Sequence, residues 1–344
     1  MEERYSILRP LTIAELHSLT IAMWDFFAPH NANHMRSYLS MKETSGTIQP
    51  LSLADFMMYL SKSGTMADPF KYMNQIICLA QKLSDQGVLI PAGQTKTTPG
   101  LGQCYYMMKE ITTLQDGSNF WLGRILGENY LRELLSDFIV RIEGVNHQDR
   151  PGTGSGVLIA PDTILTCAHN IRDMEISSCW IGDNRLEILH QNTHEKYDVG
   201  IIKISAIQTD RRFPYLGPPY ILDKTLTLGY PPLRGMREPL LLAQSGEINA
   251  IGSETFSGCE CITISSITRP GNSGGPVFSM QGHIAGIVIE QAISTTSFGA
   301  ESQLNADKSE SVESPFYLAI SSNALRTIIP EIDPSITVYY EDFQ

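Results

Sequence analysis

Three short stretches hold residues whose types and settings fit acyl-transfer chemistry: TCAHN with His169, YDVGIIKI with Asp198, and GNSGGPVF with Ser273. A serine hydroxyl becomes a useful nucleophile on a tight turn that exposes it and aims backbone N–H groups at one point. Glycines on both sides of Ser273 permit such a turn, because side chains there would obstruct the turn and an approaching carbonyl. VLIAPDTILTCAHN (157–170) has the form of a hairpin turned at Pro161 and Asp162, which leaves His169 at a strand end facing a cleft. Asp198 opens an apolar strand, where a carboxylate can accept the imidazole N–H, fix its tautomer and stabilise the imidazolium. Each stretch alone has a plainer explanation: a glycine-rich hairpin turn, a core histidine, a strand-end acid in water. Their joint occurrence in the order His, Asp, Ser favours the chemistry.

The elements that must position these residues change character midway along the chain. Segments 11–27, 51–64 and 69–87 repeat apolar residues every three or four positions and predict helices. Thr12 and Asp68 are the expected caps, and Gly64 and Gly87 the expected stops. VLIPAG and QCYYMMKEI, joined by TKTTPGLG, predict a hairpin, and 120–138 a further amphipathic helix. Helices followed by a hairpin resemble a winged-helix domain, in pattern only. From Phe138 the period becomes two, with about eleven short β-branched runs ending at PFYLAIS. Such a series predicts an all-β double barrel or sandwich. The polar stretch 292–314 is expected to be a long surface loop, and RRFPYLGPPY (211–220) a link between halves.

The TCAHN, YDVGIIKI and GNSGGPV motifs, in this order, are similar to those of the trypsin-like (chymotrypsin-fold) serine peptidases. The resemblance covers about residues 138–330 and implies two six-stranded barrels with the triad between them. It gives an α+β multidomain chain: a helical, winged-helix-like domain at 1–135, a peptidase domain at 136–330, and a tail at 331–344. The barrels would lie at about 136–210 and 221–330. It implies Ser273 as nucleophile, His169 as base, Asp198 as its orienting acid, and the N–H groups of Gly271 and Ser273 as the oxyanion hole. Ile267 and Thr268 would line the primary pocket, with a wall near Phe316 and Tyr317. Ile289, Glu290 and Gln291 would form the strand that pairs with substrate, and a small or medium apolar side chain is the expected preference. The spacings, 29 residues from His169 to Asp198 and 75 from Asp198 to Ser273, are compact and look like the HtrA/Deg branch, without its PDZ module. Asn272 stands where zymogen-type members carry an aspartate, so activation by a freed N-terminus is not expected.

Composition narrows the field. The formal net charge is −12, and no basic excess marks either half, so nucleic acid is a disfavoured partner. The third helix carries only Lys71 and Lys82, offset by Asp85. No apolar run reaches the roughly 20 residues of a membrane helix, and the acidic opening MEERYSILRP lacks a secretory pattern. The six cysteines are dispersed and form no CxxC pair, which predicts free thiols in a reducing, cytoplasmic setting and no metal or cofactor. GTGSGV (152–157) precedes a hairpin rather than a helix and is not a dinucleotide fingerprint. His190 and His194 are expected to lie in a solvated loop rather than to act as rival bases. The expected partners are a protein or peptide substrate and a protein docked on the helical half. Alternative readings are a peptidase scaffold retained for binding and a DNA-binding regulator that cuts itself. Joining a sensor-like module to such a peptidase also resembles bacterial conflict and defence proteins and some secreted bacterial effectors.

Overall fold

The computed structural model describes residues 8–42, 49–95, 100–107, 118–233, 235–237, 239–255, 257–293 and 313–341, with side chains at 290–293 and 313–315 outside that description. Most of the expected surface loop at 292–314 and part of the TKTTPGLG turn lie outside the described residues. The chain divides into two compact units, one of residues 1–114 with 124–126 and one of 115–123 with 127–344.

In the first unit, Thr12 starts α1 (Ile13–Phe26): its side chain accepts from Glu15 N–H and the Glu15 carboxylate accepts from Thr12 N–H. A short helix absent from the sequence expectations, α2 (Ala32–Tyr38), follows. Ser52 closes the two-residue strand β1 (Leu51–Ser52) and, with Asp55, makes a second capping box for α3 (Leu53–Ser63). Asp68 makes no side-chain capping bond, and what it precedes is a 3₁₀ turn, Pro69–Tyr72, before α4 (Met73–Asp85). β2 (Leu89–Gln94) and β3 (Gln103–Met107) complete a three-stranded sheet of order β1-β3-β2. Phe26 and Phe56, with ring centroids 5.3 Å apart, centre a core that includes Leu60, Ile76 and Leu83.

The amphipathic run 120–138 is not one helix. It forms a 3₁₀ turn (Phe120–Leu122), α5 (Gly123–Leu126), α6 (Glu128–Leu135) and a second 3₁₀ turn (Ser136–Phe138). The break falls at Gly127, whose φ of 89° interrupts helical geometry. Leu131 and Leu135 of α6 are buried in the core of the second unit, with Phe138, Ile139 and Val157. The boundary by contacts therefore falls ahead of the expected domain limit at 135.

The second unit begins with β4 (Ile139–Asn146), β5 (Pro151–Ala160), β6 (Thr163–Thr166), the short helix α7 (Ala168–Arg172), β7 (Met174–Ile181), β8 (Asn184–Leu186), β9 (Ile188–Thr193) and β10 (Gly200–Ile204). These strands form a seven-stranded sheet of order β8-β7-β4-β5-β6-β10-β9. Its two edge strands, β8 and β9, are joined by Glu187 alone, so the sheet curls until its edges meet without a closing ladder. This is the six-stranded barrel of the resemblance with its closing strand divided at Glu187 into β8, which pairs with β7, and β9, which pairs with β10. The second half is a closed six-stranded barrel of order β11-β12-β13-β16-β15-β14. Its strands are β11 (Lys224–Gly229), β12 (Leu242–Glu254), β13 (Glu260–Ile264), β14 (Pro276–Ser279), β15 (Ile284–Ile293) and β16 (Glu313–Ser321), followed by α8 (Ser322–Ile332).

The segment after α8 is seated rather than loose. Ile336 is buried, Leu216 N–H donates to Tyr339 C=O at 3.0 Å, and Glu341 N–H donates to Leu216 C=O at 2.9 Å. The Glu341 carboxylate lies 2.8 Å from Nε2 of the buried His283 in the turn between β14 and β15.

Candidate active site

Strand register brings the base and its acid together. Antiparallel pairing of β6 with β10 sets Thr166 opposite Gly200. The chain leaving β6 and the chain entering β10 therefore share one end of the ladder, where His169 and Asp198 sit. His169 Nδ1 lies 2.7 Å from Asp198 Oδ2, and His169 N–H donates to Asp198 Oδ1 at 2.9 Å. A carboxylate only accepts, so Nδ1 carries the proton and Nε2 is left basic. The histidine lies on α7, one turn beyond the strand, rather than at the strand end.

Ser273 belongs to a turn between the 266–270 segment and β14. Gly274 has φ of 80°, and a Cβ there would fall 2.2 Å from Thr166 Oγ1 and 2.3 Å from Ser155 C=O. The turn is thus pressed directly against β5 and β6, and only glycine fits. Ser273 Oγ donates to Ile289 C=O at 3.3 Å, and Asn170, the residue after His169, donates through Nδ2 to Ser273 C=O at 2.8 Å. Asn170 and Ser155 (both buried) escaped the sequence reading. Ser155 N–H donates to Ser273 C=O at 3.0 Å, and its Oγ donates to Gly271 C=O at 2.6 Å. Their only local signal was small residues around Ser155 in GTGSGV: a Cβ on Gly154 would lie 2.6 Å from Asn170 Oδ1. Among the described residues, Gly271 N–H and Ser273 N–H donate to no protein acceptor. Asn272 is buried, its Oδ1 turned toward Gly229.

The expected specificity residues diverge. Ile267 is 49% exposed while Thr268 is buried at 6%, so only Ile267 offers an open apolar surface. Phe316 is exposed and Tyr317 buried. Glu290 and Gln291 pair with Leu318 and Tyr317 through their backbones, and their side chains lie outside the described residues. His194 lies close after β9 and is engaged: Nε2 is 2.9 Å from Glu331, Nδ1 accepts from Lys196 and Tyr197 N–H, and the ring stacks on Tyr197. His190 is on β9 and bonds Asn192. His190 therefore stands on a strand, whereas His194 stands in the loop expected of it, with its ring engaged by neighbours.

Cys167, His169 and Asp198 bring ligand atoms within 4.8 Å of one another. Each already has a partner that a metal would have to displace. The Cys167 thiol donates to Val288 C=O at 3.0 Å, and burial, reinforced by the Asp198 charge, holds it protonated well above the ordinary thiol range. All six cysteines are free thiols.

The base–acid pair at the end of one barrel thus lies near the glycine-rich serine turn of the next, to which Asn170, the neighbour of His169, is bonded. Residues 154–287 match the family model described as a trypsin-like peptidase domain. The chain is 26% identical over 166 residues to serine protease Rv3671c of Mycobacterium tuberculosis, covering 42% of this chain and 38% of that protein. It therefore spans well under half the length of the curated relatives it matches. Among solved structures, the active form of the Rv3671c protease from M. tuberculosis aligns with a TM-score of 0.46 at 17% identity, over 61% of this chain and 86% of that one. A serine endoprotease from Yersinia pestis aligns with a TM-score of 0.45 at 20% identity, over 60% of this chain and 66% of that one.

Proposed function

We propose that this chain is a serine endopeptidase that hydrolyses peptide bonds in a protein or peptide substrate. The observation that carries the proposal is the double contact of Asp198 with His169 beside the turn that holds Ser273. In this reading Ser273 Oγ leaves Ile289 C=O, gives its proton to His169 Nε2 and attacks the substrate carbonyl. The two unoccupied N–H groups of Gly271 and Ser273 receive the oxyanion, each worth about 2.7–4 kcal/mol to the transition state. His169 then returns its proton to the leaving amine, with Asp198 ionised throughout. The backbone of β15 from Ile289 to Gln291 pairs with the substrate chain, and exposed Ile267 favours an apolar side chain in the primary pocket.

The first unit is assigned to partner docking or sensing. Its element sequence and sheet order β1-β3-β2 support a winged-helix reading, and its near-neutral charge favours a protein partner over nucleic acid. No helix of the described residues is long and apolar enough to cross a membrane. The free thiols support a reducing compartment, and a cytoplasmic setting is part of the proposal. The test is a fluorophosphonate probe on the full chain: it labels wild type and not Ser273→Ala. Labelling that persists in Ser273→Ala, or is absent from wild type under all conditions, removes the assignment.

A further inference from the structure

We infer that Ser155 is a positioning residue that brackets the peptide plane of Ser273 N–H and so fixes the direction of one of the two oxyanion donors, a role resting on the peptidase reading above. The nucleophile turn consists of rigid peptide planes, and fixing the oxygen of a plane fixes the N–H that shares it. Ser155 holds two alternate planes from a different strand system. Its Oγ binds Gly271 C=O at 2.6 Å, and its N–H binds Ser273 C=O at 3.0 Å.

The other ends of those planes are also occupied. Asn272 N–H donates to Arg269 C=O at 2.9 Å, and Gly274 N–H donates to Val288 C=O at 2.8 Å. The plane between them is pinned through Asn272 C=O, which accepts from Gly275 N–H at 2.8 Å. With three successive planes held in this way, Ser273 N–H points away from every one of these acceptors. Together with Gly271 N–H it is left for a ligand oxygen.

Ser155 is itself held without freedom. Its Oγ accepts from Tyr230 N–H at 2.8 Å, which directs its own proton to Gly271 C=O. Its C=O accepts from Thr166 Oγ1 at 2.7 Å. Asn170 supplies the second arm on Ser273 C=O, and Asn170 Nδ2 also donates to Thr166 Oγ1 at 3.0 Å. Because Asn170 follows His169 on α7, the element that carries the base also grips the nucleophile turn. Ser155→Ala keeps the N–H bond and removes only the hydroxyl, which leaves Gly271 C=O and Tyr230 N–H without that partner in a buried place.

The test compares wild type and Ser155→Ala as full chains. It measures fluorophosphonate inactivation (maximal rate and half-saturating concentration, across pH) and amide hydrogen exchange over 269–275. The expected result is a maximal rate about 100-fold lower, as for a roughly 1 Å misplacement of reacting groups, at unchanged half-saturation and unchanged pH midpoint, with faster exchange confined to 269–275. A maximal rate within twofold of wild type, or unchanged exchange in 269–275, overturns the inference. Should Ser155→Ala fail to fold, Asn170→Ala reads the same clamp from its other arm with the same two criteria. A wild-type chain that takes up no probe refutes the peptidase reading alone, and exchange over 269–275 then decides the clamp.

Discussion

Asp198 grips His169 at two points, its Oδ2 against the imidazole Nδ1 at 2.7 Å and its Oδ1 against the main-chain N–H at 2.9 Å. The second contact ties the carboxylate to the first turn of α7, so the acid cannot swing without releasing the helix that carries the base. Replacing one oxygen by an amide nitrogen sets a donor against a donor at one of the two points. Asp198→Asn should therefore lower the rate of Ser273 phosphonylation by about 10⁴-fold while the chain stays folded. Circular dichroism and a thermal melt check the fold, and a loss under tenfold would count against the assigned role.

Gly274 offers a sharper test of how the two barrels meet. Its φ of 80° already disfavours any side chain, and a Cβ would fall 2.2 Å from Thr166 Oγ1 and 2.3 Å from Ser155 C=O. Backbone cannot retreat as a flexible side chain can, so Gly274→Ala must displace β5 or the turn. A stability loss of at least about 2 kcal/mol is expected, together with loss of probe labelling. Urea denaturation measures it, and a midpoint unchanged from wild type would contradict the close approach.

The candidates His169, Asp198 and Ser273 were legible in the sequence because each leaves a local mark: glycines around Ser273, a turn-and-strand frame before His169, an apolar strand after Asp198. Ser155 and Asn170 were not, because their partners Gly271 and Ser273 lie 116 and 103 residues away. Nothing within a window around Ser155 distinguishes a clamp from a small residue at a crowded strand. The helix at 120–138 failed for a different reason. Its apolar period runs through Gly127, whereas the backbone there turns to positive φ and separates α5 from α6. α2 buries only Ala32, Met35 and Arg36, too short a stripe for periodicity to register. The division of a barrel strand into β8 and β9 falls at Glu187, a single residue that leaves no mark in the period-two run around it.

Burial of thiols gives the domain an alkaline limit. Burial, with the nearby Glu143 charge, pushes the Cys179 thiol up to about 12, and burial raises the Cys167 thiol well above its ordinary range as well. The unfolded chain releases these protons near the ordinary value of 9.0, so between about pH 9 and 12 the folded state binds more protons than the unfolded one. Stability should be fully present below pH 9 and fall as pH rises, by up to about 1.4 kcal/mol per pH unit for each group. Urea midpoints from pH 8 to 11 test this, and Cys179→Ala should flatten the slope. In the same native samples below pH 9, only the exposed Cys78 should react quickly with a thiol reagent. A flat stability profile to pH 11 would contradict the buried thiols.

The segment after α8 should matter more than a tail would. It contributes Ile336 to the core, brackets Leu216 with two main-chain hydrogen bonds, and brings Glu341 to His283. His283 stands in the turn joining β14 to β15, the strands that follow Ser273 and carry Ile289. Deleting 334–344 removes one buried isoleucine, two backbone hydrogen bonds and a charged partner of a buried imidazole. The loss should be at least about 2 kcal/mol, with a smaller loss for Glu341→Ala alone. Because the affected turn joins β14, which follows the nucleophile turn, to β15, which carries Ile289, probe labelling by the truncated chain should decline well below its melting temperature. A truncated chain with the wild-type melting temperature and labelling rate would mean that these contacts neither stabilise the barrel nor brace the site.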